Sequence, residues 1–175
     1  MKEQKFTVRE LTTTAIVAAL VFLMTYSFKI PTPTGYTHLG DCMIFIGVLI
    51  LGTRKGALAG GIGAALSDAL GGYTEWVIPT FFIKAIMAVI MGIFVYKLFK
   101  NLRFNWLIGA FIGGIAQVGL YALVKIPLKG MAYVMVSFPT DVMQTVFGIV
   151  FAGVIIGVLN QSGIIAKLRL KQSIV

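Results

Sequence analysis

Beyond its first ten residues the chain carries only four acids, Asp41, Asp68, Glu75 and Asp141. All four fall near the same end of its hydrophobic runs, with His38 and Lys84 beside them. Carboxylates accept hydrogen bonds from hydroxyls or a ring N–H, a lysine supplies a cation, and Tyr73, Trp76 and Tyr121 offer faces for stacking. Grouped in this way, the residues describe a polar pocket. Catalysis is poorly served. One histidine leaves little from which to build a hydrolase or a metal centre, and the single Cys42 excludes an intramolecular disulfide and a cysteine metal cluster. A Gly-Lys-Ser/Thr phosphate loop, a Gly-x-Ser-x-Gly elbow and a His-Glu-x-x-His pair are all missing, so neither ATP hydrolysis nor another enzymatic activity is expected of this chain.

The elements that must position these residues are membrane helices. The chain has 175 residues, 58% of them hydrophobic, and a mean hydropathy of +0.95, which is too apolar for a soluble domain of this size. Apolar runs of roughly 17–25 residues suit a ~30 Å hydrocarbon core. They predict an all-α integral membrane protein, one compact bundle of six transmembrane helices over residues 8–28, 40–53, 56–72, 78–98, 105–124 and 138–160. The second and third spans are short and joined by a tight turn from Gly52 to Gly56, so part of this hairpin is expected to be irregular where protein shields it. The charged stretch Lys2 to Glu10 and the threonines that follow read as an uncleaved first helix.

Basic residues set the orientation. Lys2, Lys5, Arg9, Arg54, Lys55, Lys97, Lys100, Arg103, Lys167, Arg169 and Lys171 lie on the side of the termini, against Lys29, Lys125 and Lys129 on the other. The positive-inside rule then makes both termini cytoplasmic. The net charge of +9 is dispersed over cytoplasmic turns and tails, which topology and anionic lipid explain better than nucleic acid does.

In this orientation the acids and His38 face outward. Lys29 to His38, with Pro31, Pro33 and Gly35, forms an external loop that is either a lid or an ordinary turn. Asp68 and Lys84 reach a similar depth and either neutralise each other or meet a ligand. Glu75 is a solvated loop charge or a ligand contact. Tyr73, Trp76 and Tyr133 are interfacial belt residues or pocket walls. Gln117 and Tyr121, with Asp141 and Gln144, are placed by depth to complete the opposite wall. Small residues spaced four apart, Ala15 with Ala19, Gly56 with Gly60, Gly109 with Gly113 and Gly153 with Gly157, let helices approach closely. The segments 56–62 and 109–115 share five of seven residues, a faint mark of internal duplication.

Over nearly its whole length the chain resembles the substrate-binding S components of energy-coupling factor (ECF) vitamin transporters. The likeness rests on the six short spans, on Thr14-Ala15-Ile16-Val17-Ala18-Ala19-Leu20, on the Pro-containing external loop, and on the run from His38-Leu39-Gly40-Asp41 through Gly56-Ala57 to Asp68-Ala69-Leu70-Gly71-Gly72. The resemblance implies residence in the bacterial cytoplasmic membrane. It also implies that an Ala-x-x-x-Ala motif, here Ala15 and Ala19, docks on a transmembrane T subunit, and that two cytoplasmic ATPases hydrolyse ATP while the S component itself needs no cofactor. Toppling of the loaded subunit would release the vitamin inside. The pattern around His38 to Asp41 and Asp68 to Gly72 is most similar to the branch that takes hydroxymethylpyrimidine or pyridoxine-type compounds, with riboflavin as the alternative. Two other readings are a self-sufficient facilitator or channel and a purely structural membrane subunit. The inner halves of the spans hold almost no ionisable group, which argues against a continuous polar route.

Overall fold

A computed structural model describes residues 7–102 and 104–161. The basic residues Lys2, Lys5, Arg103, Lys167, Arg169 and Lys171, which enter the orientation argument, lie outside the described residues. Helix α1 (Val8–Ser27) leads into a hairpin of β1 (Lys29–Thr32) and β2 (Gly35–His38), followed by α2 (Gly40–Leu51) and α3 (Thr53–Leu70). A 3-10 turn (Thr74–Trp76) opens α4 (Val77–Ile93), which ends in a wider π turn (Phe94–Leu98). Helices α5 (Asn105–Lys129) and α6 (Met131–Gln161) complete the bundle.

Local chemistry fixes the ends. Thr7 caps α1 reciprocally with Glu10: the Glu10 N–H donates to Thr7 Oγ1 at 3.3 Å and the Thr7 N–H donates to Glu10 Oε2 at 3.0 Å. The other oxygen of Glu10 takes the ammonium of Lys55, joining α1 to the first turn of α3. Gly52 at φ 84° and Gly130 at φ 86° make the α2–α3 and α5–α6 turns in a conformation that costs glycine little.

Helix α2 is the axis of the packing. Asp41, Cys42, Ile44, Phe45, Ile46, Val48 and Leu49 are all buried, with α1, α3, α4 and α6 packed around them. Its 12 residues rise only about 18 Å, well short of a ~30 Å core, which costs little where protein rather than lipid surrounds the helix. Both α2 and α3 are regular helices, so the expected irregularity of this hairpin is not found; the glycine turn absorbs the whole change of direction. Below the polar residues the core is Phe45, Val48, Met87, Met91, Val95, Ala110, Ala152 and Ile156.

Among the described residues, four elements are long and apolar enough to cross a membrane, Val8–Ser27, Thr74–Leu98, Asn105–Lys129 and Met131–Leu159. Their exposed Leu, Ile, Val and Phe side chains, such as Phe82, Phe111, Val150 and Val154, form the outer surface that a bilayer accommodates. The sequence-based expectation of an all-helical chain needs one correction. Residues 29–38 are an antiparallel hairpin, with Lys29 opposite His38 and Pro31 opposite Tyr36. The paired Pro31 and the Pro33-Thr34 turn leave little backbone freedom, and pairing satisfies polar groups that would otherwise sit bare over the bundle.

The small residues divide by what they touch. A Cβ on Gly63 would stand 2.4 Å from the Ala18 carbonyl oxygen, and one on Gly56 2.8 Å from Val48 Cα, so α3 sits almost backbone to backbone with α1 and α2. Gly109 and Gly113 bring α5 equally close to the Met91 and Met87 carbonyls of α4, whereas a Cβ on Gly157 would meet nothing within 4 Å. Gly63→Ala is therefore expected to destabilise the protein by about 1–3 kcal/mol through overpacking. Gly119→Ala, where a Cβ meets nothing within 4 Å, should be neutral or stabilising by up to ~1 kcal/mol. Thermal unfolding of both variants in detergent checks the contrast.

Candidate functional site

One stripe on each of three helices builds the polar end of the bundle. Gln117, Tyr121, Lys125 and Lys129 recur every four residues on α5, Thr80 and Lys84 do so on α4, and Tyr133, Ser137, Asp141 and Thr145 on α6, so each set shares a helix face. Helix α2 contributes Asp41, α3 contributes Asp68, and β2 places Tyr36 and His38, two residues apart, on one face of the hairpin.

These side chains enclose a cavity of about 280 Å³. His38, Asp68, Tyr73, Trp76, Tyr121, Asp141 and Gln144, all expected from the sequence, line it, and so does Glu75. Tyr36, Thr80, Lys125, Lys129, Tyr133 and Thr140 also line it. Of these, Lys125 was legible from its four-residue spacing to Tyr121. Tyr133, read as a possible belt residue, faces the cavity, and its hydroxyl donates to the Thr34 carbonyl at the hairpin tip.

Asp41, Lys84 and Gln117 are not on the wall. They form a dry floor. Asp41 and Lys84 have no solvent exposure, and the Lys84 ammonium donates to Asp41 Oδ1 at 2.5 Å and to Gln117 Oε1 at 2.7 Å. Asp41 Oδ2 accepts from Gln117 Nε2 at 2.9 Å and from Gln144 Nε2 at 3.1 Å, while Gln117 Nε2 also reaches Thr145 Oγ1 at 3.3 Å. The pairing of Asp68 with Lys84 weighed from sequence is thus corrected. Asp41 is the partner of Lys84, because the first turn of α2 brings its carboxylate into the centre of the bundle at the depth of Lys84.

Asp68 instead accepts the Tyr36 hydroxyl at 2.7 Å. Among the described residues, no ammonium or guanidinium lies within ion-pair distance of it. The other two acids of the wall are matched: Lys125 donates to Asp141 at 2.5 Å and to Ser137 at 2.9 Å, and the more exposed Lys129 reaches Glu75 at 2.8 Å. The Tyr121 ring has the ammonium groups of Lys84 and Lys125 each 5.5 Å from its centroid, which suits the negative face of the ring.

The hairpin closes over this end. Lys29 Nζ lies 4.7 Å, 4.5 Å and 5.5 Å from the ring centroids of Tyr26, Tyr36 and Tyr73. With the bonds from Tyr36 to Asp68 and from Tyr133 to Thr34, it ties the hairpin to α1, α3 and α6. Burial, reinforced by the Asp68 charge, pushes the Tyr36 phenol well above its ordinary range, so it stays a donor. Burial, helped by the Lys84 charge, pulls His38 down from 6.5 to about 3. Its imidazole is neutral at physiological pH, and its Nδ1 accepts the Gly40 N–H at 3.1 Å.

Long apolar helices around a polar cavity at one end define a multi-pass cell-membrane protein. The family follows from comparison. A model of the ECF-type riboflavin transporter S component matches residues 5–161, and the chain belongs to that family of transporter subunits, which are not enzymes. The chain is also similar to an uncharacterised protein of Pyrococcus woesei, 35% identical over 136 residues, which cover 78% of this chain and 90% of that relative. A thiamine precursor transporter, HmpT, of Lactococcus lactis subsp. cremoris is 26% identical over 165 residues, 93% of this chain and 94% of its own length.

The floor makes a direct prediction. Lys84→Met leaves the Asp41 charge buried without its cation and is expected to cost about 3–5 kcal/mol of stability, most of which the double variant Asp41→Asn with Lys84→Met should recover. Unfolding of the single and double variants, monitored by intrinsic fluorescence in detergent, measures the difference.

Proposed function

We propose that this S component captures a small heteroaromatic vitamin or vitamin precursor, of the hydroxymethylpyrimidine or pyridoxine type, from outside the cell. A transmembrane T subunit and two ATPases then drive its delivery inward. The observation that carries this reading is the cavity of about 280 Å³, walled by Tyr36, Tyr73, Trp76 and Tyr121 and by acceptor groups, and closed below by the ion-paired floor. That volume is at the small end of the ~300–1,000 Å³ usual for ligand sites, which suits a single substituted ring. Asp68 accepts from a ring N–H or hydroxyl, and the tyrosine and tryptophan faces stack on the ring. The similarity to a thiamine precursor transporter supports the same ligand chemistry.

Riboflavin is the second reading, favoured by the description of the matching family. Its three fused rings and ribityl chain are larger than the single ring that a cavity of about 280 Å³ suits. A facilitator is less well supported, because beneath Asp41 and Lys84 the core is Phe45, Val48, Met91 and Val95, with no polar path among the described residues. In our reading all six helices span the bilayer, with α2 shielded by its neighbours, and both termini are cytoplasmic. The hairpin and cavity then face outward.

Titration calorimetry of the purified protein with pyridoxine, hydroxymethylpyrimidine, thiamine, riboflavin and folate tests the ligand. One stoichiometric single-ring hit is the expected result. A hit for riboflavin alone supports the second reading, and no binding by folded protein overturns both.

The T-subunit interface is proposed along α1, where Ala15 and Ala19 lie in an apolar groove with Leu11, Thr14, Ala18 and Phe22 of α1 and Ile62 and Leu66 of α3. Small side chains there leave room for a partner helix. Ala19→Trp is expected to abolish uptake in cells that express the T subunit and ATPases while ligand affinity of the isolated protein stays unchanged. Loss of affinity as well would count against a docking role.

A further inference from the structure

We propose that Gln144 selects for ligands that bring an N–H donor, because the buried Asp41–Lys84 pair locks its side-chain amide with the carbonyl oxygen turned toward the cavity. The inference rests on the cavity being the vitamin site. It assigns the polarity that the site reads.

The lock follows from what each group is able to donate. An ionised carboxylate only accepts, and Asp41 is held ionised by the Lys84 ammonium 2.5 Å away. The atom of Gln144 that meets Asp41 Oδ2 at 3.1 Å must therefore be the amide nitrogen. Turning the amide over would set its carbonyl oxygen against the carboxylate, two acceptors with no proton between them, at a depth where an unmade hydrogen bond is costly. Gln117 is fixed in the same way from both sides, its Oε1 accepting from Lys84 and its Nε2 donating to Asp41. Both of its polar atoms are spent inside the floor, and Gln117 does not reach the cavity wall.

Gln144 does reach it. The residue is 7% exposed and lines the cavity, and among the described residues its Oε1 accepts no hydrogen bond. The opposite wall carries Asp68, a second acceptor, whose Oδ1 takes the Tyr36 hydroxyl and which has no cationic partner among the described residues. The cavity thus presents acceptors from two helices, Asp68 on α3 and the Gln144 carbonyl on α6, and the Gln144 amide is not free to turn over. An amino-substituted nitrogen heterocycle matches both: its amino group donates to Gln144, and a hydroxymethyl group or ring N–H donates to Asp68. A ring with an oxo group in place of the amino group keeps its N–H on the ring nitrogen and, at the exocyclic position that meets Gln144, would set one carbonyl against another. Asp41 is the positioning residue for this choice, and Lys84 holds Asp41 in the charged state that makes the lock one-way.

The test compares two ligands on three proteins. The ligands are a hydroxymethyl-substituted aminopyrimidine and the matched compound with oxo in place of amino, titrated calorimetrically into wild type, Gln144→Met and Asp41→Asn. Wild type is expected to prefer the amino compound by on the order of 10- to 100-fold, the worth of one buried hydrogen bond satisfied rather than opposed. Gln144→Met, of similar volume, should bring the two affinities to near parity. Asp41→Asn should shrink the preference although Gln144 is still present, since the amide is then free to turn. A merely structural role for either residue would weaken both ligands together and leave their ratio intact. Where Asp41→Asn does not fold, Gln144→Met alone decides. Retention of the amino preference in folded Gln144→Met overturns the assignment to Gln144 and leaves the vitamin reading standing, as does a wild-type preference for the oxo compound. Failure of wild type to bind either ring overturns the single-ring reading, and this inference with it.

Discussion

A carboxylate and an ammonium with no exposure to solvent, 2.5 Å apart at the centre of the bundle, are the constraint on which the polar end depends. Each charge alone would be prohibitive there. Together, and with further hydrogen bonds from Gln117 and Gln144 to Asp41 and from Lys84 to Gln117, they are tolerable, though a hydrophobic pair of the same shape would be as stable or more so. What the ionic pair adds is direction. Asp41 on α2, Lys84 on α4, Gln117 on α5 and Gln144 on α6 hold one another at fixed depth and rotation, so the groups above them on the same helix faces point into one cavity.

The rest of the molecule divides around that floor. Above it, stripes from α4, α5 and α6 and the hairpin make a small, aromatic, acceptor-rich space. Below it, apolar side chains and close glycine contacts pack α2 among its neighbours, with no polar path among the described residues. Such a protein binds from one end and releases to the same end unless something else moves it. The external energising module proposed above would be a physical complement to this construction.

The hairpin illustrates how local and tertiary effects combine. Pro31, Pro33 and Gly35 mark residues 29–38 as a stiff segment with a hinge, and the lid reading came from them. That the segment pairs with itself depends on the bundle beneath: Tyr133 holds its tip, Asp68 holds Tyr36, and three tyrosine rings surround Lys29. The same holds for charge. In sequence Lys125 enters as an outer-side charge and Asp141 as a wall residue, with nothing to link them; in space they are a nearly buried pair.

By itself the sequence determined the class of protein, six helices among the described residues and the end at which polar chemistry gathers; it placed the limits of the first four helices to within about five residues but missed the α5–α6 turn, where α5 runs on to Lys129 and α6 already begins at Met131. Hydropathy, glycine turns and charge placement are local quantities, so they are written along the chain. Seven of the ten residues expected in the site line the cavity, because depth along a span is also local. Only the tertiary structure decided who pairs with whom. That Lys84 meets Asp41 rather than Asp68, and that Gln117 is buried below the wall while Gln144 forms part of it, depends on helix rotation. Rotation is set by packing at Gly56, Gly63, Gly109 and Gly113 between segments far apart in sequence, and no periodicity within one helix encodes the angle of its neighbour.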